Sequence, residues 1–202
     1  MLNQIKLMLI LLLLPTILAA KQEVAIFAGG CFWCMEADFI HFKEDKYPNA
    51  IIEVVSGYDG GTIKNPTYSL VSSGKSNYKE VVEVTFNPDK VSYEALVKFF
   101  FLHIDPTVKD KQFCDVGKQY ASAIFYTNDQ QKQAALKVLK EVKTILNQPV
   151  FTEVLPSTTF YQAEDYHQQY YKKHPWRYEY YRWRCGRDKT VDSIWQDKQL
   201  TS

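Results

Sequence analysis

A short apolar run, Glu23 to Ala28, ends on Gly29-Gly30. At Cys31 it gives way to a helical pattern that brings Phe32, Met35, Phe39 and Phe42 to one side. No other feature restricts the fold as much. A strand that passes through two glycines straight into a helix with one apolar face calls for a sheet on which that helix can lie. The glycines open backbone angles closed to other residues, and the cysteine after them stands where a helix begins.

The rest of the chain extends the pattern. Ile51 to Tyr58 and Tyr78 to Phe86 read as strands rich in β-branched residues, separated by a long polar loop, Asp59 to Asn77. Ser92 caps a helix running through Leu96, Phe99, Phe100 and His103; a second loop follows, holding Cys114, Asp115 and Gly117, and then a strand from Gln119 to Tyr126. Asn128 or Thr127 caps a helix from Asp129 to about Leu146, strand material spans Val150 to Phe160, and a last helix runs from Ala163 to about Lys173. Two strands follow one another without a helix between them, which predicts a two-layer α/β (α+β) sandwich with a mixed β-sheet and helices packed on it, rather than a doubly wound fold. From about residue 175 the chain becomes an aromatic and basic tail, expected to be irregular.

Residues 1–20 read as an address rather than part of the fold. Lys6 precedes fourteen uncharged residues, Leu7 to Ala20. As a helix they would span roughly 21 Å, short of the ~30 Å hydrocarbon core of a bilayer. A secretory signal is expected, and with it a periplasmic or secreted protein; the alternative is an uncleaved membrane anchor. Residues 21–202 then form one domain. Lys plus Arg number 24 against 23 acids, a balance that supplies no basic stripe for nucleic acid. Four cysteines are too few for a disulfide-built miniprotein.

Chemistry concentrates at Gly29-Gly30-Cys31-Phe32-Trp33-Cys34. A thiol at a helix N-terminus meets the positive end of the helix dipole and unpaired N–H groups, which favour a thiolate; a buried packing cysteine is the bland alternative. Cys31-x-x-Cys34 also has the spacing of a thioredoxin-like pair or half a zinc site, but no second pair completes four zinc ligands, so no metal is expected. Strand parity puts Glu80 on the face of Tyr78, Val82, Val84 and Phe86, the more apolar side. Burial there would raise its pKa and keep it protonated, unless it reaches water at the strand mouth. Taken alone, Asp115 is a turn former and His167 an interior histidine, and Tyr68 and Tyr120 are two of fourteen tyrosines.

Read together, these segments resemble a known family. Ala28-Gly29-Gly30-Cys31-Phe32-Trp33 is similar to the active-site motif of peptide methionine sulfoxide reductase A, the type acting on the S epimer. Ser56-Gly57-Tyr58 with Asn65-Pro66-Thr67-Tyr68, Tyr78-Lys79-Glu80-Val81-Val82, Asp115-Val116-Gly117-Lys118-Gln119-Tyr120 and Ala163-Glu164-Asp165-Tyr166-His167-Gln168 follow in the family's order. Cys34, Cys114 and Ala121 depart from the commonest pattern, which has Gly, Asn and Arg there.

The resemblance implies roles. Cys31 would attack the sulfoxide sulfur and Glu80 would protonate the oxygen, helped by Tyr68 and Tyr120. Phe32 and Trp33 would wall in the S-methyl group, with Asp115 fixing the substrate. Cys31 would be left as a sulfenic acid and then form a disulfide. The resemblance favours Cys185 of the tail as its partner, with Cys34 as runner-up and Cys114 third. No metal or organic cofactor is implied. The expected partners are a thioredoxin-like reductant and, as substrate, oxidised proteins, peptides or free methionine sulfoxide; the enzyme is expected to be a monomer. Two other readings stand beside this one: an exported thiol-disulfide oxidoreductase using Cys31 and Cys34, and an aromatic-rich binding module.

Overall fold

A computed structural model describes residues 21–200; the signal expected in residues 1–20 lies outside the described residues. The elements run β1 (Glu23–Ala28), α1 (Phe32–Asp45), β2 (Ile51–Asp59), α2 (Tyr68–Ser72), β3 (Lys79–Phe86), α3 (Tyr93–Phe101), β4 (Lys111–Gln112) and β5 (Asp115–Val116). A 3-10 turn (Lys118–Tyr120) leads to β6 (Ala123–Tyr126), α4 (Asp129–Leu146), β7 (Glu153–Pro156), β8 (Tyr161–Gln162), α5 (Tyr170–Lys173), α6 (Pro175–Arg184) and α7 (Arg187–Trp195).

Six strands form one sheet in the order β7-β6-β1-β3-β2-β8, while β4 and β5 pair separately. The sheet is mixed: β6 and β7 are parallel and every other neighbour is antiparallel. Helices α1, α3 and α4 send Phe39, Phe100 and Val138 into the main core against Phe27, Val82 and Val84. Ile26, Ala28, Val81, Ala123 and Phe125 make a smaller cluster on the other face. This is the expected two-layer sandwich with a mixed sheet.

Register explains why the chain's two most informative sequence positions meet. In the antiparallel ladder Phe27 of β1 stands opposite Val82 of β3. The end of β1 therefore runs toward the beginning of β3, and Cys31 emerges beside Glu80. The turn between them admits little but glycine. Gly30 has φ +85°, and a Cβ on it would lie 2.5 Å from Gln112 Cβ; one on Gly29 would lie 2.5 Å from Met35 Sδ.

Side-chain caps fix the helix starts as the sequence indicated, Ser92 accepting from Ala95 N–H and Asn128 from Gln131 N–H. Elsewhere the structure differs from expectation. The long loop contains α2, capped by Thr67. The strand expected from Gln119 begins only at Ala123. The helix expected from Ala163 is confined to α5, because residues before it spend their hydrogen bonds elsewhere. Gln168 binds both backbone groups of Ser56, and Glu164 accepts from Tyr68 N–H at 2.8 Å. The tail is not irregular: it forms α6, opened by Pro175, and α7, separated by Gly186 at φ +64°.

Candidate active site

Cys31 occupies the N-cap position of the fourteen-residue α1. Its sulfur opens on a cavity of about 100 Å³ lined by Cys31, Phe32, Trp33, Tyr68, Glu80, Asp115, Tyr120 and Tyr181. All seven residues singled out in the sequence for chemistry or substrate binding at this site are on its wall. Tyr181 is the addition, and nothing local in the sequence marks it. Larger hollows exist among the described residues, for example one of about 490 Å³ beside Asp38, Tyr178 and Arg182, but this small one joins a free thiol to a buried acid.

Glu80 is 2% exposed. Phe32 N–H, one of the unpaired donors at the start of α1, donates to its Oε2 at 3.1 Å. That bond favours the carboxylate, but burial outweighs it and pushes the pKa up to about 8. At neutral pH Glu80 therefore carries a proton.

Cys31 and Cys34 are both buried, free thiols. Burial, followed by a hydrogen bond to Cys34, pushes the Cys31 thiol well up; the same bond pulls Cys34 down. This corrects the expectation from the helix dipole. With no substrate present, Cys31 keeps its proton and shares it with Cys34, because removal from water and nearby acids outweigh the field of the helix end.

Burial also raises Tyr68 to about 12 and raises Tyr120 further, so both hydroxyls stay protonated and can donate into the cavity. Asp115 accepts a hydrogen bond from the Tyr181 hydroxyl. Burial raises its pKa and that bond restrains the rise. Trp33 is fixed on three sides: its ring stacks on Tyr170 at 3.7 Å, meets Tyr181 edge-on, and its indole N–H donates to His167 Nδ1 at 3.0 Å. His167 is buried, which lowers its pKa to about 4. It is neutral, it orients the aromatic wall, and it also packs on Phe32 and Tyr68.

Cys185 is not free to meet Cys31. It is bonded to Cys114, across 71 residues of sequence. Asp115 stands close to that pair, but both sulfurs are already spent on each other. The free thiol beside Cys31 is Cys34, the runner-up in the sequence.

Comparison with known proteins adds an independent line. Residues 23–199 match the family described as peptide methionine sulfoxide reductase. The peptide methionine sulfoxide reductase MsrA of Bacillus velezensis is 45% identical over 183 residues, covering 90% of this chain and all of that protein. Among solved structures, Mxr1 from Saccharomyces cerevisiae in reduced form aligns with TM-score 0.70 at 31% identity, over 78% of this chain and 88% of its own. Mxr1 in complex with Trx2 aligns with TM-score 0.53 at 24% identity, over 75% of this chain and 86% of its own.

Proposed function

The chain belongs to the peptide methionine sulfoxide reductase family and reduces methionine sulfoxide to methionine; from that premise we propose that Cys31 is its nucleophile, Glu80 its acid and Cys34 its resolving thiol. The observation that carries these roles is a neutral, buried carboxyl and a free thiol on one small cavity of about 100 Å³.

Cys31 sulfur attacks the sulfoxide sulfur as Glu80 gives its proton to the sulfoxide oxygen, and the thiol proton passes along the hydrogen bond to Cys34. Tyr68 and Tyr120 donate to the oxygen as it gains charge. Phe32 and Trp33 hold the S-methyl group by apolar contact, and Asp115 holds polar groups of the substrate. The oxygen passes from the substrate sulfur to the Cys31 sulfur as the bond between the two sulfurs breaks, methionine leaves with that bond's electron pair, and Cys31 remains as a sulfenic acid. Cys34 then attacks Cys31, water departs, and a Cys31–Cys34 disulfide remains. Glu80 regains its proton from solvent. A thioredoxin-like dithiol restores both thiols, a partner supported by the Mxr1 complex with Trx2. Oxidised proteins, peptides and free methionine sulfoxide are the substrates, no cofactor enters the cycle, and the active form is the monomer.

Export is part of the proposal. It rests on the basic start and apolar middle of residues 1–20. Fractionation should recover the protein outside the cytosol; a cytosolic enzyme removes this element.

The chemical assignment is tested with racemic N-acetyl-methionine sulfoxide, dithiothreitol and chiral analysis. Only the S epimer should disappear, and Cys31→Ser should leave both. Turnover of insulin disulfides in place of sulfoxide would instead favour a Cys31-x-x-Cys34 oxidoreductase.

A further inference from the structure

Cys34 does not line the cavity; it packs with Ala37 and Tyr178. One turn further along α1, Asp38 is buried, and two arginines of the C-terminal helices close on it: Arg182 Nη1 at 2.7 Å and Arg187 Nε at 3.5 Å. Arg182 is also bound to Asp188. Among the described residues Arg187 has no such second carboxylate.

Arg187 is 2% exposed. Its guanidinium donates to Gly29 O at 3.3 Å, to His103 O at 2.8 Å and to Met35 Sδ at 2.9 Å, and it lies over the Phe113 ring at 4.6 Å. Gly29 belongs to the turn that delivers Cys31, Met35 follows Cys34, Phe113 precedes Cys114, and Arg187 itself is two residues beyond Cys185. One buried cation thus touches, or adjoins in sequence, the segments carrying all four cysteines. A buried guanidinium is costly to desolvate and is retained where its charge or its fork of donors is used.

We propose that Arg187 is a positioning residue for the resolving step. Its charge, opposed by Asp38, favours loss of the Cys34 proton as that sulfur attacks the Cys31 sulfenic acid, while its hydrogen bond to Gly29 keeps the Cys31 turn within reach. This rests on Cys34 being the resolving thiol. In that step the Cys34–Cys31 sulfur bond forms, the sulfur–oxygen bond of the sulfenic acid breaks, and hydroxide leaves and is protonated to water.

The groups facing Cys34 are few. The hydrogen bond from Cys31 and the two arginines favour its thiolate, and burial and Asp38 oppose it. Tyr178 and Tyr181, which pack on the same cluster, are held neutral by burial, and Glu80 also acts on Cys34 through space. The two signs allow a test that simple structural damage cannot imitate. Reduced enzyme is mixed with excess methionine sulfoxide over a pH series, quenched in acid, and read by intact mass for sulfenic acid against disulfide. Arg187→Met should slow disulfide formation at neutral pH at least tenfold, slow it more than methionine formation, and move its pH midpoint upward. Arg187→Lys should restore most of the midpoint. Asp38→Asn should move the midpoint downward. A cooperative thermal melt checks each variant's fold, and where Arg187→Met does not melt cooperatively the Asp38→Asn shift decides. Midpoints unmoved, or moved in the same direction by Arg187→Met and Asp38→Asn, overturn the proposal. Peptide mapping that finds Cys31–Cys185 instead of Cys31–Cys34 overturns the resolving assignment on which it rests.

Discussion

The floor and the outer wall of the cavity are built in different ways. The floor is Cys31, Phe32 and Glu80, set by the β1–α1 turn and by β3, the strand hydrogen-bonded to β1. The wall is Asp115, held by Tyr181 from 66 residues away, with the Cys114–Cys185 bond joining the same two segments. Ladder hydrogen bonds and close packing against a central strand determine the floor, so it has one arrangement or none. The wall is two surface segments tied by a bridge and a hydrogen bond, and can loosen while the floor stands. Groups that make and break bonds sit on the rigid part, and groups that hold the substrate sit on the part that is tethered.

The largest effect tests the floor. Cys31→Ser should abolish methionine formation in a single turnover as well as in the steady state, because no other free sulfur opens on the cavity. Cys185→Ser, a wall change, should still yield one methionine per reduced enzyme. Equal loss in both variants would erase the distinction between floor and wall.

Glu80→Gln comes next, with a loss of about 10²- to 10⁴-fold in the chemical step, the usual range for a positioned acid. The pH sign follows from its raised pKa. The proton is present below about pH 8 and lost above it, so wild-type single-turnover rates should gain a falling limb as pH rises through about 8, absent from Glu80→Gln. Stability should fall as well, but over a lower range of pH. In the unfolded chain Glu80 ionises in the ordinary carboxylate range, so its burial costs stability progressively from there up to about pH 8 and fully above. Glu80→Gln, with nothing to ionise, should therefore melt higher than wild type at pH 9 by calorimetry, although it is nearly inactive.

The same contrast separates what the sequence disclosed from what it concealed. Local rules suffice for the floor. A strand, two glycines and a cysteine announce a helix start, and the two-residue period of β3 puts Glu80 on the face of Val82 and Val84 without knowledge of any other strand. The caps at Ser92 and Asn128 were legible for the same reason. The wall depends on contacts between distant residues that no period encodes. Tyr181 is one tyrosine in an aromatic run until α6 docks and aims it at Asp115. The disulfide was hidden likewise: four cysteines allow three pairings, and only the fold puts Cys114 against Cys185. Helical periodicity was visible at Ala163 to Lys173, but Gln168 and Glu164 bind neighbouring backbone there and consume the groups a helix would need.

Removing the tether alone gives a smaller effect. Cys114→Ser with Cys185→Ser should lower stability by about 2–5 kcal/mol, the usual cost of deleting a native bridge. It should raise KM more than it lowers kcat in dithiothreitol-driven turnover, because Asp115 and Tyr181 lose their fixed separation while Cys31 and Glu80 keep theirs. A fall in kcat with KM unchanged would place the bridge in the chemistry instead.

The mildest probe is Tyr181→Phe, which deletes one hydroxyl and leaves the ring against Trp33. The hydroxyl's hydrogen bond to Asp115 opposes the rise that burial imposes on that carboxyl. Without it, Asp115 should bind a proton at higher pH and hold the substrate's polar groups less firmly. A lost hydrogen bond to a charged acceptor is worth about 1.5–3 kcal/mol. Part of that returns because the cavity is open and water can reach Asp115, so a rise in KM of roughly three- to tenfold is expected, with kcat within a factor of about two. Tyr181→Ala removes the ring as well and should add a loss in kcat, since Trp33 would keep only Tyr170 and His167 to fix it. If Tyr181→Phe lowered kcat as much as Tyr181→Ala, the hydroxyl would be acting on the reacting atoms, and Tyr181 would belong with the floor.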